Sequence, residues 1–212
     1  EIKELAEHIE IKRLFSLCVE RSLWETDQCR SYTKSDYLKL FKRKMTGNGV
    51  APFMHFLGIQ SRQQTGDLHQ SKKILWLANE AGEIVVDLAI IRYLARLGHK
   101  IIISVKEGPL FTQVCFRDTQ HDRTLIKPLT NAVFITDKNL GKNELAKIFR
   151  GDSPIVVMSD GTCEKLNLML ASTTFARVFK EVDAIVSRGN EQKRRLFDTH
   201  FRFTRDIFNV ST

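Results

Sequence analysis

The sequence lacks the cysteine pattern of a disulfide-bonded or zinc-binding protein. Its four cysteines, Cys18, Cys29, Cys115 and Cys163, are far apart and form no CxxC pair. This favours a reducing compartment, so we expect a cytoplasmic location. No apolar run approaches the roughly 18 residues of a membrane span, and we expect no membrane partner. Because the chain opens with Glu1 rather than Met, it is open whether it belongs to a longer protein.

The short motifs of several enzyme classes are also missing. The sequence contains no HExxH, GxSxG, Walker loop or GxGxxG pattern, so nothing at this level indicates a zinc protease, a serine hydrolase or a dinucleotide-binding enzyme. What it does have is excess positive charge, with 33 Lys and Arg against 25 Asp and Glu. That balance suits an anionic partner, although a generally basic surface with no specific partner explains it equally well.

Residues 72–105 predict a strand, a helix and a second strand. The apolar run 74–77 suits a strand buried on both faces. After Gly82, apolar residues recur at helical spacing up to Gly98, which is placed as a helix C-cap. The apolar run 101–105 then completes a parallel crossover unit.

Strands and helices continue to alternate after this unit. The alternation predicts an α/β fold with an open, mostly parallel, doubly wound sheet. One helix is expected at 164–180 and a polar loop at 119–130. Further strands are expected at 132–135, 154–158 and 184–186.

The chain divides into two predicted regions. Residues 1–70 carry helical periodicity, and the polar stretch 60–71 has the composition of a linker. We therefore expect a helical cap at 1–70 and an α/β, Rossmann-like body at 71–212.

Polar residues follow the predicted strands at their carboxyl ends, where open parallel sheets bind ligands. Asn79 and Glu80 follow the first strand, and Gln113 follows the turn after the second. Their oxygens are donors of the type that Mg²⁺ prefers. An ordinary helix-capping role for Asn79 and Glu80 stays open.

A phosphate-binding side is expected next to these residues. Arg188 and Asn190 follow the strand at 184–186, and backbone N–H groups are free where a helix begins after Gly82. The basic residues from Lys193 to Arg205 and the aromatic residues among them suggest a nucleic-acid contact, although a solvated helix face is favoured because no recognised motif accompanies them.

Four stretches resemble, in order, segments of the metal-dependent damage-control phosphatases, formerly a domain of unknown function. The distinctive one is ANEAGEIVVD at 78–87, which is similar to the strand–loop–helix signature of that family. The others are SLWET at 22–26, GPLFTQV at 108–114 and DAIVSRGNEQKRRL at 183–196. The last resembles the branch of sugar-phosphate phosphatases that has also been called a protein carboxyl methyltransferase. The resemblance implies removal of phosphate from small phosphometabolites with Mg²⁺, Mn²⁺ or Co²⁺.

The sequence departs from the family pattern at the positions that bind metal and phosphate in that family. The metal-binding Asp-Asn pair of the family reads Asn79–Glu80, and its third metal Asp reads Gln113, so two carboxylates become one. A site with less ligand charge should bind a divalent cation more weakly. On the phosphate side, the Lys of the family is Arg188 and its Asp is Asn190.

Three functions follow as hypotheses. The first is divalent-cation-dependent hydrolysis of a small phosphate ester, with the metal on Asn79, Glu80 and Gln113, and with Glu80 and Asp87 as candidate catalytic carboxylates. The second is a pseudoenzyme that binds a small anion or a protein partner. The third is nucleic-acid binding through the basic C-terminal helix.

Overall fold

The computed structural model describes residues 2–18, 20, 32–42, 49–59 and 70–210. The SLWET segment at 22–26 and residues 60–69 of the predicted linker at 60–71 lie outside these residues. The helices are α1 Ile2–Cys18, α2 Lys34–Lys42, α3 Val50–Phe56, α4 Glu83–Arg96, α5 Phe116–His121, α6 Arg123–Ile126, α7 Lys142–Arg150, α8 Thr173–Glu181 and α9 Gly189–Phe197. The strands are β1 Lys73–Leu77, β2 Lys100–Val105, β3 Val133–Ile135, β4 Ile155–Ser159, β5 Ala184–Arg188 and β6 Asp206–Val210.

In the described part of the chain, six strands form one parallel sheet in the order β3-β4-β2-β1-β5-β6. The predicted fold class is therefore confirmed. From β1 the chain first adds strands on one side, and after β4 it returns to add β5 and β6 on the other. Neighbouring β1 and β5 thus flank the switch point of the topology, where open α/β sheets form a crevice beyond the strand ends.

The central strands are buried on both faces, which explains their uninterrupted apolar runs. On one face, Trp76 of β1 packs against the rings of Phe15 in α1 and Phe53 in α3, with centroid distances of 6.4 and 6.5 Å. On the other face, Leu75 lies in a cluster with Phe175 of α8. Helices cover both faces, and α1 and α3 share the core of the sheet. The division of the chain at residue 70 stays a prediction.

Helix α4 ends as the sequence predicts. Gly98 follows its last turn with a φ of +88°, and the N–H groups of Gly98 and His99 donate to the carbonyls of Ala95 and Leu94. Glycine adopts this left-handed conformation without steric cost, so the predicted C-cap is confirmed.

Two local predictions were wrong, and one strand was missed. The segment 119–130 includes half of α5 and all of α6, rather than a loop. Helix α8 begins only at Thr173, because the Ser172 side chain caps it by accepting from the N–H of Phe175. The apolar residues before it had mimicked a helical stripe, although Met169 and Leu170 are exposed. Strand β6 was missed because it is an edge strand whose burial is partial.

None of the described helices is long and apolar enough to cross a membrane.

We predict that Gly161→Ala destabilises the protein more than Gly98→Ala does. Both glycines have positive φ, which costs a non-glycine residue about 1–2 kcal/mol. A Cβ at Gly98 would meet no atom within 4 Å, whereas one at Gly161 would lie 2.6 Å from the Cβ of Ser172. Overpacking of this kind adds about 1–3 kcal/mol.

The measurement is the free energy of unfolding in urea for both variants and the parent protein. Equal losses would show that the 160–172 turn relaxes without cost, contrary to the close packing described here.

Candidate functional site

The carboxyl ends of β1, β2 and β4 converge on one small cavity. Asn79 follows β1, Lys106 follows β2 and Asp160 follows β4. The loop after β2 contributes Gln113. The enclosed space is about 20 Å³, close to the size of one water molecule. The remaining lining residues are Leu77, Ala78, Ser104, Val105, Lys165, Leu166, Glu191, Gln192 and Arg195.

The segment after β1 is held against the loop after β2 by backbone hydrogen bonds. The N–H of Ala81 donates to the carbonyl of Thr112 at 2.8 Å, and the N–H of Val114 donates to the carbonyl of Asn79 at 3.0 Å. Glu80 and Gln113 form an antiparallel bridge between the two segments. The three residues predicted to hold a metal are therefore adjacent, but their role as ligands stays a prediction.

A buried ion pair lies at the centre of this edge of the sheet. The ammonium of Lys106 is 2.6 Å from Oδ2 of Asp160, and the two residues are 6% and 4% exposed. The other carboxylate oxygen of Asp160 accepts from the N–H of Thr162 at 2.9 Å and from its hydroxyl at 3.2 Å. The carboxylate is thus fixed by its own turn, and it holds the ammonium of Lys106 next to the cavity.

These residues do not fit a divalent cation well. The cavity brings together two amides, Asn79 and Gln113, with the ammonium of Lys106. Its two carboxylates already have cationic partners, since Asp160 pairs with Lys106 and Glu191 pairs with Lys165 and Arg195. Glu80 is the only carboxylate among the predicted metal ligands. The Asn79 amide donates to Glu83 at 3.5 Å. Across the described parts of the chain, no group of three or more His, Cys, Asp or Glu side chains could hold a metal ion.

Arg188, the predicted phosphate ligand, is buried away from this cavity. Its guanidinium donates to Oδ1 of Asp87 and to the carbonyl of Cys18, and Glu83 lies 3.5 Å from it. Arg188 is 2% exposed and Asp87 is fully buried. The roles predicted for Arg188 in phosphate binding and for Asp87 in catalysis stay untested. Each would require the residue to leave this ion pair.

Burial and charge interactions shift the pKa values of Glu83 and Arg188 in this cluster. Burial raises the pKa of Glu83, against the opposing effect of the Arg188 guanidinium. For Arg188, burial alone would lower the pKa, but Asp87, Cys18 and Glu83 raise it above its usual value. The thiol of Cys18 donates to Oδ1 of Asp87 at 3.2 Å. The cluster therefore ties the end of β5 to α4 and to the last residue of α1.

Gln192 bridges the two strands at the switch point. Its Oε1 accepts from the N–H of Arg188 at 2.8 Å, and its Nε2 donates to the carbonyl of Ala78 at 3.3 Å. The other predicted phosphate-side residues, Gly82 and Asn190, are exposed near the beginnings of α4 and α9. The structure thus brings Asn79, Gln113 and Gln192 to one cavity.

Sequence reasoning missed Lys106, Lys165 and Glu191 as residues of the cavity, and it assigned Arg195 to a nucleic-acid contact or a solvated helix face. A signal existed for Lys106, because it directly follows an apolar strand and precedes the Gly108–Pro109 turn. The aromatic residues near the C-terminus are partly structural, since the ring of Phe203 packs on that of Phe179 at 5.6 Å. This supports the solvated-face interpretation of the basic residues around it.

Comparison with known proteins identifies the family. A family model described as the damage-control phosphatase ARMT1-like domain matches residues 20–212, which is nearly the whole chain. The chain belongs to this family. No curated protein matches the sequence.

Among solved structures, a protein of the same family, named a DUF89 family protein, from Pyrococcus horikoshii is similar. Its crystal structure has a TM-score of 0.61 to this chain at 17% sequence identity. The match covers 99% of this chain and 66% of that protein, so this chain spans slightly less than two thirds of its length. At this identity the likeness concerns the fold alone.

We predict that Asp87→Ala lowers the free energy of unfolding by about 3–5 kcal/mol, because it leaves a buried Arg188 without its main counter-charge. The measurement is urea unfolding, with Asp152→Ala as a control at an exposed acid. The double variant Asp87→Ala/Arg188→Met should recover part of the loss, since it removes the uncompensated guanidinium, and the recovery should stay partial because Glu83 loses its cation. A loss no larger than that of the control would contradict this account of the cluster.

Proposed function

We propose that this member of the damage-control phosphatase family binds a small phosphorylated or similarly anionic metabolite without a divalent cation. The observation that carries the proposal is the Lys106 ammonium, which is buried beside Asp160 and next to Asn79 and Gln113. It supplies positive charge at the edge of the sheet where the resemblance implies a metal ion.

Electrostatics favours an anion over a cation at this position. The cavity lining contains three basic residues, Lys106, Lys165 and Arg195, against the acids Asp160 and Glu191. The Lys106 ammonium alone would repel a divalent cation about 4 Å away by on the order of 8 kcal/mol at an effective dielectric constant of about 20. Its partner Asp160 offsets much of this repulsion, so the preference comes from the excess of one positive charge in the whole lining. A phosphate at the same place is attracted, and its oxygens accept charge-assisted hydrogen bonds.

Residues of the chain can orient such a ligand in several ways. Lys106 supplies the central charge, Gln113 and Asn79 offer amide N–H groups, and Arg195 offers a planar guanidinium at the rim. Asp160 keeps the Lys106 side chain in place. Both carboxylate oxygens of Asp160 are engaged, one by Lys106 and the other by Thr162, which favours binding over nucleophilic catalysis.

A second candidate function is hydrolysis of a small phosphate ester with Mg²⁺, Mn²⁺ or Co²⁺. It is supported by family membership and by the bridge that sets Glu80 opposite Gln113. In this case Asn79, Glu80 and Gln113 would hold the ion, which would polarise the phosphoryl oxygens.

The test is isothermal titration calorimetry with inorganic phosphate and glycerol phosphate in the presence of EDTA. We expect binding by the parent protein and a loss of about 10- to 150-fold in Lys106→Met/Asp160→Asn, which corresponds to the 1.5–3 kcal/mol of a charged hydrogen bond. The double change avoids leaving Asp160 buried without a partner. Lys142→Met, at an exposed lysine of α7, is the control.

Two results would contradict the proposal. One is unchanged affinity in the Lys106 double variant while its melting temperature stays close to that of the parent. The other is phosphate release that requires Mn²⁺ or Co²⁺ and is abolished by Glu80→Ala, which would establish the second candidate instead.

A further inference from the structure

A second, larger groove adjoins the small cavity. It has a volume of about 650 Å³ and is open to solvent. The two spaces share four lining residues, Lys165, Leu166, Glu191 and Arg195. These four residues therefore lie at the junction of an inner cavity, whose lining includes Lys106, and an outer groove along α9. The outer groove is also lined by Asn167, Leu168, Arg194, Asp198, Thr199 and Phe201.

Glu191 connects the two cationic residues at this junction, Lys165 and Arg195. Its Oε1 lies 3.0 Å from the ammonium of Lys165 and accepts from Nε of Arg195 at 3.3 Å. The Arg195 guanidinium also donates to the carbonyl of Leu166 at 3.3 Å. Hydrogen bonds and charge from Lys165 and Arg195 lower the pKa of Glu191. The Glu191 carboxylate thus forms ion pairs with both cations at the rim and links α9 to the 165–166 turn.

These contacts are weak enough to be exchanged for others. The side chains of Lys165, Glu191 and Arg195 are 37–47% exposed, and exposed ion pairs contribute about 0–1 kcal/mol each. A phosphate carries more charge than a carboxylate and binds arginine through two parallel hydrogen bonds. It can therefore displace Glu191 from both cations.

Size favours this displacement. A space of about 20 Å³ holds a water molecule, whereas a phosphate group has four oxygens around its phosphorus. A phosphate beside Lys106 therefore needs more room than the inner cavity offers, and moving the Glu191 side chain would join that cavity to the outer groove.

We propose that Glu191 is a built-in competitor of the ligand, which occupies Lys165 and Arg195 in the free protein and is displaced by the phosphate of an extended phosphate ester. The phosphate then contacts Lys106, Lys165 and Arg195, and the body of the ester lies in the outer groove. This inference rests on the anion site proposed above.

The outer groove indicates the ligand class. Its volume lies within the roughly 300–1,000 Å³ of small-molecule sites. Leu168 and Phe201 give it apolar surface, while Arg194 and Thr199 add polar groups. An ester of moderate size whose body offers an apolar or aromatic face to Leu168 and Phe201 suits this lining better than inorganic phosphate does.

The experiment is calorimetric titration of inorganic phosphate and phenyl phosphate into the parent protein and into Glu191→Gln. Glutamine keeps the shape of the side chain but removes the competing charge. We expect Glu191→Gln to bind both probes about 3- to 10-fold more tightly, which corresponds to the loss of two exposed ion pairs. Phenyl phosphate should bind more tightly than inorganic phosphate in both proteins.

Two further variants make the result specific. Glu181→Gln removes the same charge from the exposed end of α8 and should leave both affinities unchanged. Lys165→Met in the Glu191→Gln background should reverse most of the gain, because it removes a cation that Glu191 had occupied.

The possible failures are distinguishable. The competitor role of Glu191 is wrong, and the anion site stands, if the parent binds phosphate through Lys106 but Glu191→Gln binds it no more tightly. The same holds if the affinity of Glu181→Gln for phosphate rises equally. Equal affinity for the two probes would overturn the ligand class. If none of the proteins binds either probe, the anion site falls, and this inference falls with it.

Discussion

The ion pair between Lys106 and Asp160 is the contact on which the site depends. It joins the ends of two neighbouring strands, β2 and β4, and is almost completely buried. A buried charge pair adds little net stability, because desolvation offsets the attraction, but losing one partner is costly. The main effect of this ion pair is therefore to fix the position of the Lys106 side chain. It keeps one positive charge beside the cavity at the carboxyl edge of the sheet.

A second buried cluster, on the other side of the switch point, holds secondary-structure elements together. Arg188, Asp87 and the carbonyl of Cys18 connect β5, α4 and α1. Because Arg188 is engaged there, the positive charge facing the crevice comes from Lys106 inside, and from Lys165 and Arg195 at the rim. The chain keeps the scaffold of the damage-control phosphatase family, and we propose that these charges serve to bind an anion.

The sequence predicted the sheet better than the site. Buried parallel strands and a glycine-capped helix leave periodic patterns, so 74–77, 101–105 and Gly98 were recognised. The bridge between Glu80 and Gln113 could be anticipated because strand ends converge. The partners of Arg188 could not, since Asp87 lies 101 positions away. The pairing of Lys106 with Asp160, 54 positions apart, could not be predicted either. It depends on β2 and β4 being neighbours in the sheet, and the order of strands in a sheet is set by tertiary structure.

The most direct test of the central claim is a crystal structure of the protein grown with both MnCl₂ and phosphate, with data collected near the manganese absorption edge. The account predicts phosphate density within hydrogen-bonding distance of the Lys106 ammonium and no anomalous peak beside Glu80. A manganese peak coordinated by Glu80, Asn79 and Gln113, with phosphate bound to the metal, would contradict it.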